Sequence, residues 1–114
     1  TFNRYFPDGN SEYERIYSQE KTGFAEAKLK AEGKEIAILS ISDTVNNPSA
    51  AAKFQDSSTK IGGYPSVTQG SSGTAVLVGD RYQVKIRSKD ASFSESDRQA
   101  WLSKFDLRGL SKLK

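Results

Sequence analysis

The sequence predicts an α+β fold: a mainly antiparallel sheet of about five to six strands, with two helices packed on one face. Three observations predict it. Residues 74–88, TAVLVGDRYQVKIRS, set two β-rich runs around Gly79-Asp80, a Gly-first pair suited to a tight hairpin because glycine accepts positive φ. Residues 23–43 repeat that arrangement around Glu32-Gly33. Two further stretches, after Asn47 and after Ser94, carry the chemistry of helix starts.

A two-residue loop at Gly79-Asp80 pairs Leu77 with Tyr82, Ala75 with Val84 and Gly73 with Ile86 on the core side. The other side then pairs Val78 with Arg81, Val76 with Gln83 and Thr74 with Lys85. A slip of one residue sets Arg81, Gln83 and Lys85 beside Leu77 and Ala75, so the hydrophobic pattern strongly specifies the first register.

Taken in order, Phe2, Tyr5 and Phe6 precede the turn signal Pro7-Asp8-Gly9-Asn10 and are expected to dock on the body or touch whatever lies upstream. Residues 12–19, EYERIYSQ, read as an edge strand whose charges discourage unwanted pairing. In the next hairpin Ala25, Ala27, Leu29 and Ala31 share a face, opposite Glu26, Lys28, Lys30 and Glu32. With Glu32-Gly33 as the loop, Leu29 faces Ile36, Ala27 faces Ile38 and Lys30 opposes Glu35. A Gly33-Lys34 loop instead sets Glu32 against Glu35, a like-charge pair. The returning strand is apolar on both sides and belongs inside the sheet.

Asn46-Asn47-Pro48 ends the strands, with Asn47 as N-cap and Pro48 in the first turn of a short helix, PSAAAKFQ. Ala51, Ala52 and Phe54 are its expected buried positions. A brief strand over 57–61 and another around 64–68 interrupt the irregular middle. Ser94 and Asp97 form a capping-box pattern behind Phe93, starting a helix over 95–105 with Trp101, Leu102 and Phe105 on one stripe. Leu107, Leu110 and Leu113 continue past Gly109 as a turn or short helix.

The chain has 114 residues, 35% hydrophobic, and matches one domain, 1–114, with a single core. A net charge of +3 permits an anionic partner without demanding one. No apolar run approaches the ~20 residues of a membrane helix. With no Cys and no His, thiol chemistry and the commonest general base and metal ligand are excluded. Nor is there a Met, so Thr1 follows either a removed leader or a cut within a longer chain. On that ground and on composition the chain is similar, generically, to the soluble part of a small bacterial exported protein or lipoprotein. The resemblance implies an extracytoplasmic location, periplasmic or membrane-anchored.

Few residues point to chemistry. Gly70-Ser71-Ser72-Gly73 lacks the spacing of a nucleophile elbow and the Lys-Ser/Thr of a phosphate-cradling loop, and reads as a connection. Asp43, Asn46 and Asn47 offer oxygens to a cation, but turn and cap roles explain them better. Ser-Lys catalysis stays formally open. Lys28 and Lys30 share a face of one strand, Lys85 and Arg87 a face of another. Together they form a positive patch if the strands neighbour each other, with Tyr64 or Phe24 as a stacking surface and Glu26, Glu32 and Glu35 diluting the field. Leu39, Ile41, Val76 and Val78 point away from the core side in these registers and need a cover. The first and middle segments supply one; a partner supplies the other, with Tyr64-Pro65 on its rim.

The functional expectation is a non-catalytic binding domain, not an enzyme, needing no cofactor or metal, for a protein partner or small ligand. Its weak site is Tyr64, Pro65, Lys28, Lys30, Lys85 and Arg87. The alternatives are a polyanion-binding face, with nucleic acid disfavoured, and a small hydrolase-type enzyme working without metal or thiol.

Overall fold

The computed structural model describes residues 2–45, 47–55 and 57–113. Seven strands form one antiparallel sheet: β1 (Glu14–Lys21), β2 (Phe24–Ala31), β3 (Lys34–Asp43), β4 (Thr59–Ile61), β5 (Tyr64–Gln69), β6 (Gly73–Val78) and β7 (Tyr82–Ser88). Their order across the sheet is β1-β2-β3-β7-β6-β5-β4. A meander β1–β3 is thus followed by a crossover to the far edge and a second meander that returns to pair β7 with β3. The helices are α1 (Pro48–Ala52), α2 (Glu95–Leu102) and α3 (Leu107–Ser111), with a 3-10 turn at Phe2–Tyr5. The α+β class with an antiparallel sheet stands. Seven strands replace the expected five to six, because both short stretches of the middle segment, 57–61 and 64–68, pair into the sheet as β4 and β5.

The helices do not all lie on one face. α2 and α3, with the N-terminal aromatics, cover the face that presents Ala25, Ala27, Leu29, Leu39, Ile41, Val76, Val78, Val84 and Ile86. The crossover carrying α1 lies on the other face, where Phe54 packs on Ala75 and Leu77. β6 is therefore buried on both sides along its whole length.

That double burial explains why the central hairpin takes the slipped register. Val78 pairs with Tyr82, Val76 with Val84, Thr74 with Ile86, and Ala75 and Leu77 sit beside Lys85 and Gln83. Gly79 and Asp80 both take positive φ (61° and 57°), and Arg81 is an additional loop residue. The Arg81 carbonyl accepts from the Thr44 N–H at 2.9 Å and from its hydroxyl, which ties the loop to the end of β3. With Phe54 as a lid over Ala75 and Leu77, β6 tolerates either parity, and the long-range bond to Thr44 decides.

The β2–β3 hairpin turns at Glu32-Gly33 and opposes Lys30 to Glu35, as the like-charge comparison requires. Beyond that pair Ile36 is an extra residue, so Leu29 meets Ala37 and Ala27 meets Leu39, not Ile36 and Ile38. The bulged Ile36 carbonyl accepts from the N–H groups of Lys89 and Asp90 (2.7 and 3.2 Å). Both changes of register turn Leu39, Ile41, Val76 and Val78 into the helix-covered core, where all four are fully buried. The outer-face placement expected of them does not occur, so neither a cover by the first and middle segments nor a partner patch arises from them there.

Elsewhere local chemistry holds. β1 is an edge strand, and Tyr5 and Phe6 dock in the core, with Phe6 against Phe105 at 5.2 Å. Both halves of the capping box at Ser94 and Asp97 form. α2 stops at Leu102 and not at Phe105, because the chain tightens into 3-10 turns there. Ala52 is exposed where burial was expected, since α1 is only five residues long and rests on the sheet through Ala51 and the following Phe54.

Two outcomes follow. Val76→Ala should cost about 2–3 kcal/mol in urea unfolding, while Gln83→Ala stays within about 0.5 kcal/mol; in the unslipped register the two would share an outer face. Asp43 accepts both guanidinium bonds of Arg81 (2.9 and 2.8 Å). That bond, opposed by burial and helped by the Val45 N–H, holds its carboxyl below the usual range. Its stabilisation is complete above the ordinary aspartate pKa of about 3.9 and is lost as pH falls through the lowered folded value. Asp43→Asn should therefore cost about 1 kcal/mol at neutral pH, discounted for partial exposure, and nothing in strong acid.

Candidate functional site

The face of the sheet away from α2 and α3 is the one that carries the basic residues. Antiparallel partners share a face, so the ladder rows can be read across the sheet. Lys28 pairs with Ile38 and Ile38 with Arg87; Glu26 pairs with Ser40 and Ser40 with Lys85. Lys28 and Arg87 thus flank Ile38, about 10 Å apart at the backbone, and Lys85 stands about 7 Å along its strand from Arg87. Lys30, opposite Glu35, completes the four on this face. Pro65 also belongs here, opposite Lys60. Tyr64 does not: it pairs with the buried Ile61 and packs against the main core. The pair Tyr64-Pro65 is split between faces because adjacent residues on a strand always are.

Charge is distributed unevenly. Lys28 is bound to Glu35 at 3.3 Å, whereas Lys85 and Arg87 join no ion pair among the described residues. The crossover adds Lys53. Burial, then the like charge of Lys85, pushes its ammonium below the ordinary lysine value, which places the two cations in each other's field. Phe24 lies on this face as well, with the Lys21 ammonium 5.4 Å from its ring centre. Gln83 Oε1 is buried there with no hydrogen-bond partner among the described residues.

On the same face an open groove of about 740 Å³ runs between α1 and the hairpin turn, lined by Val45, Pro48, Ala51, Phe54, Pro65 and Leu77, with Asp80 and Arg81 at its turn end. Val45, 55% exposed, is one of two large hydrophobic residues left exposed among the described residues. Sequence reasoning missed this groove and Lys53, because both depend on where the crossover lands. It also missed Arg98, although Arg98 precedes Trp101 and Leu102 by three and four positions and so falls on the buried stripe of α2.

The remaining candidates are placed as follows. Asp43 is engaged by Arg81 and the Val45 N–H, and Asn47 accepts from Ser49 Oγ at 2.8 Å; Asn46 lies outside the described residues. Among the described residues no three His, Cys, Asp or Glu gather as metal ligands. Ser40 stands directly across from Lys85, and no hydrogen bond joins them among the described residues. Residues 70–72 form the turn into β6, with the Ser72 carbonyl accepting from the Ser88 N–H at 2.8 Å. Among the described residues no helix is long and apolar enough to cross a membrane.

Comparison with models of known families, with curated proteins and with solved structures gives no match. Function must therefore be read from the face itself.

Replacing Lys85 with alanine should raise the Lys53 pKa part of the way to the ordinary value, leaving the share due to burial. Lysine side-chain NMR titration measures this; an unchanged Lys53 would show that the two charges do not face one another.

Proposed function

We propose that the domain is a non-catalytic binding module whose outer sheet face receives an acidic segment of another protein. The supporting observation is that two features share that face. A groove walled mainly by apolar residues, with Asp80 and Arg81 at its turn end, accepts a hydrophobic side chain, and Lys53, Lys85 and Arg87 on the same face have no carboxylate partner among the described residues. A segment with carboxylates flanking an apolar residue matches both, and charge complementarity would steer its approach. Polyanion binding is the second reading, because the same cations serve it. Single-stranded nucleic acid fits less well: base stacking needs exposed rings along the cationic track, Tyr64 faces the opposite way, and Lys21 lies near the ring of Phe24.

A glutamate–tyrosine copolymer, heparin and oligothymidine separate the readings in amide NMR titrations at low and moderate salt. The copolymer should give saturable shifts at Val45, Ala51, Lys53, Leu77, Lys85 and Arg87. The double variant Lys85→Glu/Arg87→Glu should weaken it at least about tenfold, or about 1.4 kcal/mol. Heparin binding that collapses with salt, with no copolymer binding, shifts the reading to a polyanion site. Silence of this face towards all three removes both.

A further inference from the structure

We propose that the hollow between the β5–β6 turn and the start of α2 binds a small oxyanion, a carboxylate or phosphate group, with Arg98 as its charged anchor. This site lies on the helix-covered face and is independent of the outer-face reading. Arg98 is only 5% exposed. Its Nε donates to Thr74 Oγ1 on β6 at 2.9 Å and its Nη1 to Ser88 Oγ at the end of β7 at 2.8 Å. Both acceptors are neutral hydroxyls, and Nη2 makes no hydrogen bond among the described residues. None of the four ion pairs among those residues includes Arg98.

A guanidinium cannot shed its proton to escape burial. A buried charge without a counter-ion is costly, and two neutral hydroxyls do not offset that cost. What the arginine adds is a positive charge at the wall of a hollow of about 580 Å³, bordered by Thr68, Ser71, Ser72 and Lys89. Hydroxyls around a guanidinium with free N–H groups are the donors a compact oxyanion uses. Two amides at the start of α2 are already engaged: the Asp97 N–H is taken by Ser94 Oγ and the Ser94 N–H by the Asp97 carboxylate, so the proposal rests on Arg98 and not on the helix N-terminus. Of the two carboxylates at the border, Asp90 is held by Lys34 and Ser92, while Glu95 is exposed on the rim. Only one cation is buried here, which selects a single anionic group and not an extended polyanion.

Amide NMR titrations with inorganic phosphate and with acetate, at ionic strength held constant with chloride, test the site. Saturating shifts confined to residues 70–72, 88–89 and 98 are expected. Phosphate alone identifies a phosphoryl group, acetate alone a carboxylate, and both a site for the oxyanion itself. Arg98→Gln should weaken the response at least tenfold. If that variant does not fold, Ser72→Asp, which puts a carboxylate into the hollow, should abolish it. Lys85→Glu/Arg87→Glu should leave it unchanged, so failure of one proposal is distinguishable from failure of the other. Shifts that do not saturate with either anion, or that persist undiminished in whichever of the two variants folds, overturn the proposal.

Discussion

The ladder between β3 and β7 is the constraint on which the rest of the molecule depends. Among the described residues it is the only strand pairing that joins the β1–β3 meander to the β4–β7 meander, over seven residue pairs from Ala37–Ser88 to Asp43–Tyr82. Both ends are locked by groups that belong to neither hairpin alone. At one end Thr44 donates to the Arg81 carbonyl and Arg81 grips Asp43. At the other Lys89 and Asp90 donate to the Ile36 carbonyl. Between these locks Leu39, Ile41, Val84 and Ile86 are wholly buried, so the seam is also the middle of the core. Its partners lie far apart in the sequence, so forming it closes a long loop, the kind of contact that slows folding.

From the seam the two faces acquire different characters. One collects the large rings: Tyr13 against Phe93 and Trp101, and Phe6 against Tyr17 and Phe105. The other keeps its lysines, its small serines and one arginine, and is roofed only where the crossover passes. That crossover must reach from β3 to the far edge, β4, and its packing on β6 and β5 is what sets a mainly apolar groove on the face that carries Lys85 and Arg87. The candidate site is a by-product of topology, assembled from residues that no local pattern joins.

This separates what could be read in the sequence from what could not. The Glu32-Gly33 turn, the Ser94-Asp97 capping box, the edge strand and the strand at Tyr64 rest on neighbours within a few residues, and each was legible. So was the parity that sends Lys28 and Lys30, or Lys85 and Arg87, to one side of their strands. The registers were not legible. A β6 buried on both faces fits either parity, and Ile36 and Ala37 are both acceptable in a core; the deciding bonds come from residues 44, 89 and 90, remote in the chain. Arg98 was obscured by the habit of reading arginine as surface, although its helical position said otherwise.

The crossover rests on a small apolar cluster of its own. Phe54, Ala75 and Leu77, with Ala51 and Val67 beside them, are separate from the main core. The segment can therefore peel away by losing Phe54's contacts while the seven-stranded body keeps its large rings and its seam. Amide exchange around α1 is then governed by this local opening and not by global unfolding, and anything seated in the groove would slow it by holding the flap shut.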